Sequence, residues 1–118
     1  YPFCGEDPTG ANMVNVGLPS RSGSDAFRAA VTSQWIPALD AFAPELIYIS
    51  AGFDGHREDD MGNLGLVEAD YAWVTQQIMA VARRHCKGRV ISCLEGGYAL
   101  NPLARSVAAH IKVLIGAD

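Results

Sequence analysis

The stretch PELIYISAGFDGHREDDMGNLGL, residues 44–66, decides how this chain folds. Leu46-Ile47-Tyr48-Ile49 is a continuous apolar run with no alternation, the pattern of a parallel strand covered on both faces rather than of a half-solvated hairpin strand. The chain then changes character. Gly52 to Leu66 is rich in glycine and carries Asp54, Glu58, Asp59 and Asp60 together with His56. In open parallel sheets the working residues gather beyond the C-terminal ends of the strands, and this is where the acidic loop falls.

Reading outward gives two more units of the same kind. Met13 to Leu18 is expected as a strand, ended by Pro19 and the Ser/Gly-rich stretch Ser20 to Ser24. Ser24 is placed as an N-cap, and Phe27, Val31, Trp35, Leu39 and Phe42 recur at helical spacing. Pro37 lies inside that helix, where it removes one backbone bond and produces a kink; Ala43-Pro44 ends it. A second helix begins near Val67, with Tyr71, Val74, Ile78 and Val81 as its apolar stripe. Arg83, Arg84 and His85 fill its last turn and Gly88 follows, which is ordinary terminal chemistry. Arg89 to Leu94 is expected as a third strand, with Cys93 as a buried thiol. Glu95-Gly96-Gly97-Tyr98 leaves its end, and Asn101-Pro102 reads as an N-cap and first helical position. Leu103, Val107, Ile111 and Leu114 form the final stripe, with His110 packed beside it. Three strand–helix units imply an α/β fold, a parallel sheet with helices on both faces and right-handed crossovers.

Composition narrows the function. A net charge of -4 over 118 residues argues against nucleic acid or an anionic membrane as the main partner, because both demand a basic face. No apolar run approaches the roughly 20 residues needed to span a bilayer. The cysteines, Cys4, Cys86 and Cys93, show no Cys-x-x-Cys pattern, so neither a zinc finger nor a disulfide framework is expected, and a cytoplasmic location is. The first ten residues read as the inside of a loop, which leads us to expect a fragment whose N-terminal portion is missing.

Two loops can carry chemistry. The first holds hard ligands for a divalent cation in Asp54, Glu58, Asp59 and Asp60, with His56 as a nitrogen donor; a solvated acidic turn is the competing reading. It lacks the EF-hand spacing. The second, Glu95 to Tyr98, uses two glycines to bring a phenol over the strand ends, where it can donate to a developing oxyanion. Neither a P-loop nor a Gly-x-Ser-x-Gly elbow is present.

Ser-Ala-Gly-Phe-Asp (Ser50 to Asp54) at a strand end, an acidic residue five further on, and Glu-Gly-Gly-Tyr after the next strand together resemble the C-terminal half of the zinc-dependent histone deacetylase family. That family includes acetoin-utilisation proteins and acetylpolyamine amidohydrolases, and the flavour is bacterial and class II-like. The resemblance runs over nearly the whole chain and implies the C-terminal part of an arginase/deacetylase-like fold over residues 1–118. It implies that Asp59 is a zinc ligand, with Asp60 standing where the family has proline. Asp54 and His56 then only imitate the family's Asp-x-His zinc pair, which belongs to an earlier strand. It also implies that Tyr98 is the catalytic phenol and that Leu66 and Gly97 lie on the substrate side, with acetylated lysine or an acetylpolyamine as substrate. The histidine base and two further zinc ligands belong to motifs that these residues do not contain, so the chain alone is expected to be inactive. Self-association through an exposed sheet edge is expected too. A non-catalytic pseudo-deacetylase or structural α/β domain acting through a partner stays open as an alternative.

Overall fold

The computed structural model describes residues 10–117; Cys4 and the loop expected at the start of the chain lie outside them. Two strands, β1 (Ile47–Ala51) and β2 (Val90–Leu94), pair in parallel with Ile47 opposite Val90 and Ala51 opposite Leu94. They are joined by α3 (Glu68–His85), preceded by α1 (Ser24–Ala30) and α2 (Ile36–Phe42), and followed by α4 (Leu100–Leu114). The α/β class and the parallel sheet are as expected; the strand count is not. Met13 to Leu18 forms no ladder among the described residues, because β propensity expresses itself only against a neighbouring strand.

Among the described residues, the helices pack on one face of the sheet. Ile47, Ile49, Ala51 and Val90 point toward them, packing on Ile36 and Leu39 of α2, Ile78, Val81 and Ala82 of α3, and the Leu103–Val107 side of α4. Tyr48 and Ile91, paired in the ladder, stand on the opposite face and are exposed. There the Tyr48 hydroxyl donates to the Cys93 sulfur at 2.7 Å, so the buried free thiol is Cys86 rather than Cys93, which is half-buried.

The helix expected from Ser24 to Phe42 is interrupted by a π-helical turn, Val31–Trp35. Pro37 lacks the N–H that would reach the carbonyl of Ser33, and its ring crowds that carbonyl; a widened turn directly before it relieves both. Gly23, not Ser24, holds the capping position of α1, and the Ser24 hydroxyl donates instead to Asp70 at 2.7 Å. Asp70 is fully buried and accepts three donors: Ser24, the Arg28 guanidinium at 2.9 Å, and the backbone N–H of Val67 at 3.0 Å. It therefore starts α3 and ties it to α1. Arg28 also lies 5.1 Å from the centre of the Trp73 ring. At the other end of α3, Arg84 and His85 bond Asp40 of α2.

On α4 the deepest line is Pro102, Ser106, His110 and Val113 rather than the expected leucine stripe. His110 bridges Thr75 of α3 at 2.7 Å and Ser92 of β2 at 2.9 Å, and burial pushes its pKa down. No helix among the described residues is long and apolar enough to cross a membrane.

Replacing Asp70 with alanine would leave the half-buried Ser24 hydroxyl, a guanidinium and an amide short of their acceptor. A loss of about 3 kcal/mol is expected from breaking such a pair, read as a lowered midpoint in chemical denaturation.

Candidate functional site

The two loops meet where the strands end. Beyond the ladder, the Glu95 amide donates to the Ala51 carbonyl at 2.9 Å and the Phe53 amide to the Gly96 carbonyl at 2.7 Å, so the loops leave side by side. The acidic loop turns back sharply. His56 N–H donates to the Phe53 carbonyl at 3.2 Å and Asp59 N–H to the His56 carbonyl at 2.9 Å. This turn brings the Asp59 carboxylate under the start of α4. Its Oδ2 accepts the amides of Tyr98 at 2.7 Å and Ala99 at 3.0 Å, and its Oδ1 accepts the amide of Met61 at 3.0 Å. The capping position of α4 falls on Ala99 rather than on the expected Asn101, and no side-chain bond is made from it; a carboxylate from the other loop does that work. Burial of Asp59, 2% exposed, pushes its pKa up. The amides of Ala99, Met61 and Tyr98 outweigh that and hold it below the ordinary carboxylate value.

Two glycines permit the junction. Gly97 has φ +148°, a conformation side chains resist, and a Cβ there would lie 2.6 Å from the Leu103 side chain. Gly62 passes so near Asp54 that a Cβ would lie 2.1 Å from the Asp54 carbonyl oxygen.

Asp59 and Tyr98 are thus brought together through a backbone bond, while the Tyr98 ring stays 60% exposed. Gly97 sits at the bend before it. Leu66 is placed apart from them. It is buried with Ala51, Phe53 and Tyr71, and it lines a cavity of about 280 Å³ together with Phe27, Phe53 and Asp54. The Tyr71 hydroxyl beside it donates to the Phe53 carbonyl at 3.1 Å; burial, then the charges of Asp54, Asp59 and Asp70, push its pKa well up. Asp60, next to the candidate ligand, is exposed.

A second group of donors, His56, Glu58 and Glu68, lies close together, but its chemistry is that of an ion-pair network. Arg105 of α4 donates to both Glu58 and Glu68, which places a cation there already. The His56 Nδ1 accepts the Glu58 amide at 3.1 Å, so the ring proton sits on Nε2, which faces Glu68 at 3.5 Å with no hydrogen-bond partner. The Asp59 carboxylate, by contrast, stands in a different environment: of about four lone-pair sites on a carboxylate, three accept the backbone amides of Tyr98, Ala99 and Met61. Among the described residues, Asp59 belongs to no cluster of three potential ligands. Spacing gave no signal for Arg105 or Glu68, since they join the loop from two different helices.

Comparison with known proteins follows the same residues. The family model described as histone deacetylase domain matches residues 1–114. Type-2 histone deacetylase 2 of Dictyostelium discoideum is 47% identical over 107 residues, which cover 88% of this chain and 6% of that protein. The histone deacetylase-like amidohydrolase of Pseudomonas aeruginosa is 34% identical over 94 residues, covering 80% of this chain and 25% of that protein. Among solved structures, the HDA15 HD domain superposes with a TM-score of 0.81 at 36% identity, over 87% of this chain and 28% of that one. The chain therefore spans a minor part of the relatives it matches.

The Arg105 network also sets an acid response. The hydrogen bond from Arg105, foremost, holds the Glu68 carboxyl down from 4.5 to about 2. A lowered folded-state pKa contributes stability that is fully present above the ordinary value and lost as pH falls through the folded one. In acid denaturation followed by circular dichroism, Arg105→Gln is expected to flatten the loss of stability between pH 4.5 and about 2.

Proposed function

The chain belongs to the histone deacetylase family, and from that membership we propose that it forms the C-terminal part of a zinc-dependent deacetylase domain acting on acetylated lysine or a related acetylated amine. The observation that carries the reading is the bond from the Tyr98 amide to the Asp59 carboxylate, which holds the candidate metal ligand and the candidate phenol in one unit. Zinc, when bound, supplies a polarised carbonyl and a water of lowered pKa. Asp59 is the one ligand this chain would contribute. Kept ionised by its three amides, it presents a fixed anionic oxygen. Tyr98 is the donor to the acetyl oxygen as negative charge develops there; its exposed ring leaves the hydroxyl free to reach a bound substrate. Gly97 sets the direction from which that ring leaves the backbone. Leu66 shapes the substrate side from behind, as a buried support of the loop.

In the intact deacetylase, Tyr98→Phe is expected to lower kcat by about 10²–10³-fold with little change in KM, measured on an acetyl-lysine peptide. Asp59→Asn is expected to lower the zinc content of the purified protein. Unaltered turnover and metal content in both variants would refute the assignment.

Catalytic zinc uses three protein ligands and this chain offers Asp59. The 118-residue chain by itself is therefore expected to hold zinc weakly and to be inactive. Metal analysis after dialysis checks this, and a tightly held stoichiometric ion would contradict it.

A further inference from the structure

We propose that Phe53 is a positioning residue for Tyr98, seating the Gly97 bend from which the phenol leaves the backbone. The inference rests on the reading of Tyr98 as the donor to the acetyl oxygen, and it is independent of which residues hold a metal. The bend is fixed by the two peptide planes on either side of Gly97. In the plane before it, the Gly96 carbonyl accepts the Phe53 N–H at 2.7 Å. In the plane after it, the Tyr98 N–H donates to Asp59 at 2.7 Å. Phe53 also stands directly against the bend: a Cβ at Gly97 would lie 3.4 Å from the Phe53 Cβ.

Phe53 is itself held from several sides. Its carbonyl accepts the His56 N–H at 3.2 Å and the Tyr71 hydroxyl of α3 at 3.1 Å. Both polar groups of its backbone are therefore engaged, one with each loop of the site. Phe53 is 4% exposed, and its ring centre lies 5.0 Å from that of Tyr71 and 5.7 Å, edge to face, from that of His110 on α4. His110 is in turn bonded to Thr75 and Ser92. The side chain thus takes its place from α3 and α4, and the backbone passes that place on to the Gly96 carbonyl. An apolar residue of another shape would fill much of the same volume but would leave both neighbouring rings without their partner and let the Phe53 peptide shift. A misplacement of about 1 Å in a reacting group can cost about 10²-fold in rate.

The test uses the intact deacetylase and an acetyl-lysine peptide, with two variants in two backgrounds. Phe53→Leu removes the ring, and Tyr71→Phe removes only the hydroxyl that holds the Phe53 carbonyl. Each is expected to lower kcat by about tenfold or more with little change in KM. In a Tyr98→Phe background each is expected to lower kcat little further, because a residue that acts through the phenol has nothing left to act on. Hydrogen exchange followed by mass spectrometry is expected to quicken over residues 95–99 in both variants, while β1 and β2 exchange as before. Equal losses of kcat in the two backgrounds make Phe53 a core filler and overturn the proposal. Unchanged kcat, or unchanged exchange over residues 95–99, overturns it as well. If Phe53→Leu does not fold, Tyr71→Phe decides by the same criteria. Tyr98→Phe alone separates the two readings. Unaltered turnover there sinks the role of the phenol and this proposal with it, whereas a large loss there, with additive losses in the Phe53 and Tyr71 variants, sinks only the positioning role.

Discussion

The acceptance by the Asp59 carboxylate of two amides 39 and 40 residues further along the chain is the constraint on which the rest of the site depends. It closes the gap between two loops that leave neighbouring strands in parallel, and it does so with a charge. The electrostatics favour this closely. The free N–H groups and dipole at the start of α4 attract an anion, and burial keeps water from competing. The same contact ties the direction of the Gly97 bend to the direction of the acidic turn, so neither loop can adjust without the other.

Asp70 solves a related problem at the start of α3. It too is a buried carboxylate beside a helix start, accepting the Val67 amide while drawing in Ser24 and Arg28. One helix is begun by a residue of its own first turn and the other by a residue from across the sheet edge. Between them, His110 links α4 to both α3 and β2 through Thr75 and Ser92. The small residues Thr75 and Ser106, both fully buried, let α3 and α4 approach each other. The polar interior is thus concentrated where helices must be oriented, and the apolar clusters fill the space around it.

Much of this was legible in the residues. The run Leu46 to Ile49 and the run after Arg89 announced strands because continuous apolar sequence has few other uses in an α/β chain, and α3 announced itself through both its stripe and its basic last turn. Met13 to Leu18 misled because strand-forming side chains do not supply a partner. Ser24 and Asn101 misled as caps because carboxylates from elsewhere intervened: Asp70 drew the Ser24 hydroxyl to itself, leaving the capping position of α1 to Gly23, and Asp59 accepted the amides at the start of α4. On α4 the apolar stripe was only partly right: Leu103 and Val107 pack on the core but Ile111 is exposed, while the deepest positions include Ser106 and His110, polar residues that the stripe could not mark. At the site, the motif order brought Asp59 and Tyr98 to attention together. Nothing in the spacing could show that they join through the backbone, or that His56 turns inward to receive the Glu58 amide rather than outward toward a cation.

Gly62 carries a consequence for how this loop tolerates change. The carbonyl of Asp54 occupies the space that any side chain at position 62 would need, and it belongs to the backbone, so no rotamer can yield. Its neighbours Asp60 and Met61 are exposed and have room to vary. A saturation scan across the loop would therefore trace a sharp step from these permissive sites into position 62, and the step would coincide with a residue that has no chemistry of its own.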